Sequence, residues 1–312
     1  MKKYIIIPDV NCDLSAELRE RFELRDYIPG HVHFSNGLDF QTRLEWDTLS
    51  REEFYKLLSS KQIQASTSPA SPEECYNIFK SYAEQGYDIL NISLSTKISS
   101  AHASATTAAK RIQEEFPDCT VYCVDSMRMS GAIGLMVLYA CEMQAAGKSM
   151  QEVIDWLEEN KYKVHQMGPI DDLMFVARRG RISTGKAIFG SFAGVKPMGD
   201  CNAEGYVTVI TKAKGIKKAL KLTVAYVKEA ATDIENQHIL ISHTNREEYA
   251  LQLKELIETE LHPKDVLISD VYGSCGTNIG PGMIGAYFLG APVSQDGEAE
   301  KAMMNRAIEA CN

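Results

Sequence analysis

Hydroxyl groups cluster twice along this sequence, in QASTSPASPEE (64–74) and in NISLSTKISSAHASA (91–105). Each stretch runs into a helix signal. The unpaired amides and the dipole at a helix N-terminus favour a negative group, and neutral hydroxyls add donors without adding charge. One cap per helix uses Ser71 and either Ser99 or Ser100. That leaves Thr67, Ser68, Ser95 and Thr96 over. The pattern suits a carboxylate, because several phosphates would more often recruit Arg or Lys.

Other chemistries fit less well. Nucleophilic catalysis needs a serine or cysteine beside a base. His102 lies three residues after Ser99 and His243 follows HILIS, but no G-x-S-x-G elbow is present. A stand-alone small-molecule enzyme using Ser99 with one of these histidines is therefore the alternative reading. GRISTGKA (180–187) fits G-x-x-x-x-G-K, yet Ala187 stands where a Ser or Thr should hold magnesium, so a nucleotide loop is rejected. His31 and His33 would share a strand face without a third ligand. The eight cysteines are scattered; Cys119 and Cys123 would share one face of a strand CTVYCVDS, and none has zinc-like spacing. Reduced thiols are expected, with no metal and no cofactor. GTNIGPGMIGAYFLG (276–290) reads equally as an anion-presenting loop and as a tight turn entering a buried strand.

The elements that must position these residues alternate in the first half. KYIIIPDV reads as a strand, with Asp13 capping a helix that carries Leu14, Leu18 and Phe22; LRDYIPGHVHF is extended. Ser50 with Glu53 and Ser149 with Glu152 make capping boxes, and Ser71-Pro72 with Glu74 makes a further helix start. Strands YDILNISLS and CTVYCVDS flank a small-residue helix from about residue 100 to 116, and helices follow near 130–147 and 150–162. Beyond about residue 168 the strands GYVTVITKAKG, HILISHT and DVLISDVYG mix with helices. The expected fold is α/β in two domains. Residues 1–168 form a three-layer α/β/α domain on a short parallel sheet, and 169–312 form an α+β domain on a mixed sheet.

The 312 residues are 45% hydrophobic and 24% charged, as in ordinary globular proteins. A net charge of −9 excludes the nucleic-acid binders, which meet phosphates with a basic surface, and argues against docking on anionic lipid. The N-terminal apolar run is too short for a signal peptide, and AIGLMVLYACEMQAAGK meets Glu142 too early to span a membrane. A cytoplasmic protein without stable membrane insertion is expected.

Six segments in order resemble the DegV family, which includes the fatty-acid-binding subunits of bacterial fatty acid kinase. PDVNCDL keeps Asp9, Asp13 and Leu14 of a TDS-x-x-DL-type opening, and Thr67, Ser68 and Ser71 match a TS-x-x-S element. Ile98 to Ala101 match an LSGT-type loop, and Arg178 to Ser183 match RGGRIS. VKPMGDCNAEGYVTVITKAKG resembles the K-P-x…G…K-x-RG segment, and GTNIGPG resembles the closing HTGPG. Pro8, Ala101, Asn278 and Lys214 depart from the family's Thr, Thr, His and Arg.

The resemblance implies a long-chain fatty acid bound between two domains and presented to a separate kinase, which phosphorylates the carboxyl group. It places the carboxylate on Thr67, Ser99 and Asn278, with Ser68, Ser100, Gly280 and Gly282 in the supporting loops. Arg179, Arg181 and Lys214 become docking residues for the kinase. A carrier of another carboxylate lipid, with no kinase, is a further alternative. Apolar runs such as AIFGSFAGV and MIGAYFLG are candidate tunnel walls.

Overall fold

The computed structural model describes residues 2–182 and 194–310. The first half contains β1 (Tyr4–Pro8), α1 (Ala16–Arg21), β2 (Gly30–Phe34), β3 (Asp39–Thr42), α2 (Arg51–Leu58), β4 (Ala65–Pro69), α3 (Pro72–Ala83), β5 (Asp88–Ser93), α4 (Ala101–Glu115), β6 (Val121–Asp125), α5 (Gly131–Ala145) and α6 (Met150–Asn160). The second half contains β7 (Val164–Pro169), α7 (Leu173–Arg178), β8 (Val195–Cys201), β9 (Val207–Lys214), α8 (Ile216–Ala230), β10 (His238–His243), α9 (Glu247–Leu261), β11 (Asp265–Asp270), α10 (Gly273–Ile279), β12 (Ile284–Leu289) and α11 (Glu298–Ala310).

The expected parallel sheet is present, in the order β1-β5-β6. Strand alternation divides its side chains between two cores. Ile5, Ile7, Ile89 and Val121 pack with Phe79 of α3 and Ala105, Ala108 and Ile112 of α4. Ile6, Leu90, Ile92 and Val124 face α5 on the other side. The mixed sheet runs β11-β10-β12-β7-β8-β9, parallel only between β10 and β11. Ile239, Ile241, Ala286 and Phe288 on one face pack with residues of α8, α9 and α11, while Leu240 and Tyr287 on the other meet α5.

Helix α5 thus lies between the two sheets, which is why AIGLMVLYAC is apolar all round: Ala132 to Leu138 are buried without interruption. No helix among the described residues is long and apolar enough to cross a membrane. Glycines let the helix come this close. A Cβ on Gly131 would lie 2.4 Å from the Tyr287 ring, and one on Gly134 would lie 2.5 Å from the Cys12 carbonyl.

The three capping boxes form as their sequences require, at Ser50, Ser71 and Ser149. Four local expectations change. QASTSP is not a loop: β4 pairs antiparallel with β2, and β3 completes a third sheet, because cross-strand partners supply a pairing that ASTSP itself does not signal. Asp13 does not cap α1; Ser15 does, and Asp13 sits buried in a left-handed conformation at φ 50°, closing the 3-10 turn Val10–Cys12. Cys119 precedes β6, so it shares no strand face with Cys123. GTNI is the end of helix α10, closed by Gly280. Strand β7 also straddles the expected boundary at residue 168 and pairs wholly within the six-stranded sheet.

Candidate functional site

A cavity of about 430 Å³ opens between residues of the two halves. Hydroxyls and an amide line it: Thr67 and Ser68 from β4, Ser99 and Ser100 before α4, and Ser274 and Asn278 from α10. Leu94, Ile98, Met129, Val176, Val207 and Ile279 supply apolar wall. The lining thus offers both hydrogen-bonding groups and apolar surface, which suits an amphiphile.

The hydroxyls are oriented by their partners. Asn278 Nδ2 donates to Thr67 Oγ1 at 3.1 Å and to the Ser274 carbonyl at 3.0 Å. Thr67 therefore accepts from Asn278 and keeps its own hydrogen for another acceptor. Ser99 Oγ likewise accepts from the Ala101 amide at 3.1 Å, ahead of α4, and keeps its hydrogen. Both donors of Asn278 are thus engaged within the protein, so its effect on a ligand passes through Thr67. Ser100 holds the N-cap position of α4 without a side-chain cap bond. Ser68 Oγ lies 3.1 Å from His33 Nε2, and His31 Nε2 lies 2.8 Å from Glu74.

The surplus hydroxyls of the second cluster shape the loop. Ser95, fully buried, donates to the Gly205 carbonyl at 3.2 Å, and Thr96 donates to Asp125 at 2.7 Å. Gly280 and Gly282 do not line the cavity. Their amides bond to the carbonyls of Gly276 and Thr244, so they offer no anion nest. They close the turn after α10 in left-handed conformations, φ 78° and 96°, where a Cβ would strike Phe175 and Asp171.

Arg181 lines the cavity and is the one cationic side chain to do so among the described residues. Its Nη1 donates to the Arg179 carbonyl. Arg179 donates in turn to the Ala65 carbonyl of β4, and its guanidinium lies 5.0 Å from the centre of the Phe175 ring. Burial, with Arg181 and Arg178 nearby, pushes the Arg179 pKa down. Lys214 is exposed at the far end of β9 from Val207, which bridges to Ile182. At strand rise that separation is on the order of 20 Å, so the three cationic residues do not form one patch. Ser183, Lys186 and most of AIFGSFAGV lie outside the described residues.

The PDVNCDL turn supplies a wall that the hydroxyl count does not reveal. Asp9 and Asn11 line the cavity. Asp9 accepts from the amides of Asn11 and Leu94, at 2.9 and 2.8 Å, yet burial pushes its pKa up to about 6. Asp13, also buried, accepts from Ser130 at 2.6 Å and from the Tyr272 amide at 2.9 Å, with its pKa pushed up to about 7. The spacing of acids in PDVNCDL was the available signal, but only packing tells a buried acid from a cap.

Neither histidine of the enzyme alternative reaches this site. His102 lies within α4, and His243 ends β10 at 3.6 Å from Asp270, with burial lowering its pKa; neither lines the cavity. The seven described cysteines are free, and no group of three or more metal-ligating side chains occurs among the described residues.

A DegV domain-containing protein of Clostridium perfringens is 31% identical over 290 residues, covering 93% of this chain and 98% of the relative. A solved structure described as fatty acid binding of a DegV family protein from Thermus thermophilus aligns with a TM-score of 0.82 at 26% identity, over 93% of this chain and all of that one. The fold is shared also with the Streptococcus pneumoniae Fatty Acid Kinase (Fak) B3 protein loaded with linoleic acid, at TM-score 0.77 and 18% identity, covering 92% and 99% of the two chains. The model of the "Uncharacterised protein, DegV family COG1307" matches residues 3–290. With that span of sequence and that fold in common, this chain belongs to the DegV family.

Proposed function

We propose that this protein binds a long-chain fatty acid and presents its carboxylate to a fatty acid kinase, acting as a carrier rather than a catalyst, in the cytoplasm. The observation that carries the reading is the convergence of Thr67, Ser99 and Arg181 on one apolar-walled cavity. Each buried methylene contributes about 0.8 kcal/mol, so a chain of roughly sixteen carbons gains on the order of 10 kcal/mol before ordering costs. The carboxylate loses water on entry, and the two oriented hydroxyls with the Arg181 guanidinium offset that loss.

The relatives support the same ligand class. Fatty acid binding is the stated property of the Thermus thermophilus protein, and the streptococcal protein of the same fold carries linoleic acid in a kinase system. In this reading Thr67 and Ser99 hold the carboxylate directly, and Asn278 orients Thr67. Arg179 ties the segment that bears Arg181 to β4. Lys214 stays a separate docking residue for the kinase.

The test is reconstitution. With a fatty acid kinase and ATP, acyl phosphate forms only when this protein is present and loaded. Turnover of a small ester by the protein alone, lost in Ser99→Ala, would instead favour the enzyme alternative.

A further inference from the structure

Beyond the main cavity lies a second, smaller chamber of about 50 Å³, against the face of the six-stranded sheet. Met129, Val176, Val207 and Ile279 line both spaces, so these four apolar side chains are the partition between them. None of the four is polar or charged, and Met129 has an unbranched, adaptable side chain. The floor of the chamber is the backbone of Gly168, Gly199 and Gly285.

A chamber that received only a methyl terminus would be lined by apolar groups alone. Gln166 departs from that. It lines the chamber, and its side-chain oxygen Oε1 is enclosed with no hydrogen-bond partner among the described residues. Its backbone amide is separately bonded to Asp200 at 2.9 Å, so the strand position is satisfied while the side chain is not. The neighbouring hydroxyls give no relief. Ser130 donates to Asp13, and neither it nor Tyr287, the cross-strand partner of Gln166, is bonded to Oε1. A buried amide oxygen without a donor is costly, on the order of 1–3 kcal/mol.

Resting on the fatty-acid reading above, the geometry points to a ligand that carries a hydroxyl group at the distal end of its chain, bonded by Gln166. A hydroxyl matches either orientation of the amide, since it both donates and accepts. The partition of Met129, Val176, Val207 and Ile279 grips the methylenes on the way. The ligand class is then the ω-hydroxylated long-chain acids, with Gln166 as the specificity residue.

The experiment is competition against a fluorescent fatty acid, using hexadecanoic acid, its ω-hydroxy derivative and its 2-hydroxy derivative. The wild-type protein is expected to bind the ω-hydroxy acid at least as tightly as the plain acid. Gln166→Met keeps an unbranched side chain of similar length and removes both amide groups. It should shift the ratio toward the plain acid about tenfold, and leave the 2-hydroxy ratio unchanged. Ile279→Phe, made in helix α10, narrows the partition and should produce the same shift, together with a preference for shorter acids. A wild-type protein that rejects the ω-hydroxy acid tenfold or more overturns the inference, as does an unchanged ratio in both variants. Those results leave the fatty-acid reading standing if the plain acid binds. Failure of all three acids to bind overturns both.

Discussion

Asn278 Nδ2 and Thr67 Oγ1 lie 3.1 Å apart, joining the end of α10 to the middle of β4 across 211 residues of sequence. The bond leaves the Thr67 hydrogen free and aims it. Thr67→Val and Asn278→Ala should therefore each weaken fatty acid binding about five- to tenfold, near 1 kcal/mol. The double variant should lose less than the sum, because the second change removes what the first has already disabled. Displacement of a fluorescent fatty acid measures all three constants. Full additivity would mean that Asn278 acts independently of Thr67.

Arg181 brings a positive charge to the cavity that the hydroxyl pattern did not call for. Arg181→Gln should weaken binding about tenfold, as expected for a charge-assisted hydrogen bond. The loss should be smaller for the methyl ester of the same acid, which carries no charge. Comparable losses for acid and ester would assign Arg181 a packing role.

Asp13 makes stability depend on pH in an unusual direction. Burial raises its pKa to about 7, so the folded protein holds a proton that the unfolded chain releases near its ordinary value of 3.8. The associated stabilisation is complete below about pH 4 and is lost as pH rises through 7, on the order of a few kcal/mol. Asp9, raised to about 6, acts in the same sense. Asp13→Asn keeps a residue type tolerated at positive φ. Denaturant unfolding from pH 4 to 7 should show the wild-type protein losing stability relative to this variant. A constant difference across that range would show that Asp13 does not titrate there.

Gly131→Ala tests how closely α5 must approach the six-stranded sheet. Gly131 is the first residue of α5, so alanine gains less there than the roughly 1 kcal/mol it gains over glycine in a helix interior. Here its Cβ would lie 2.4 Å from the Tyr287 ring and 2.5 Å from Ser242 Oγ. Overpacking of this kind costs about 1–3 kcal/mol, so the melting temperature should fall despite the propensity gain. A rise in melting temperature would show that the contact yields.

What could be read from the sequence follows the range of the interactions. Ser50 with Glu53, Ser71 with Glu74 and Ser149 with Glu152 announce their helices because both partners of each box lie within one turn. Strands β1, β5 and β6 were legible through buried runs such as YIII and DILNI. Thr67 and Ser99 were legible as donors, but their setting was not. Nothing in ASTSP signals a strand until β2 lies beside it, and the glycines of GSCGTNI hide a helix whose partners, such as Asn11, lie far off in sequence. The same limit holds for Arg181, which reads as a docking residue from its motif and lines the cavity through the path of the chain after α7.

The most direct measurement of the central claim is mass spectrometry of the purified protein under native conditions, before and after incubation with hexadecanoic acid. The account predicts one fatty acid per chain, displaced by added acid and strongly reduced in a Thr67→Val, Ser99→Ala, Arg181→Gln triple variant that still folds. A protein that carries no fatty acid and takes up none, or a triple variant that binds as well as the wild type, would contradict it.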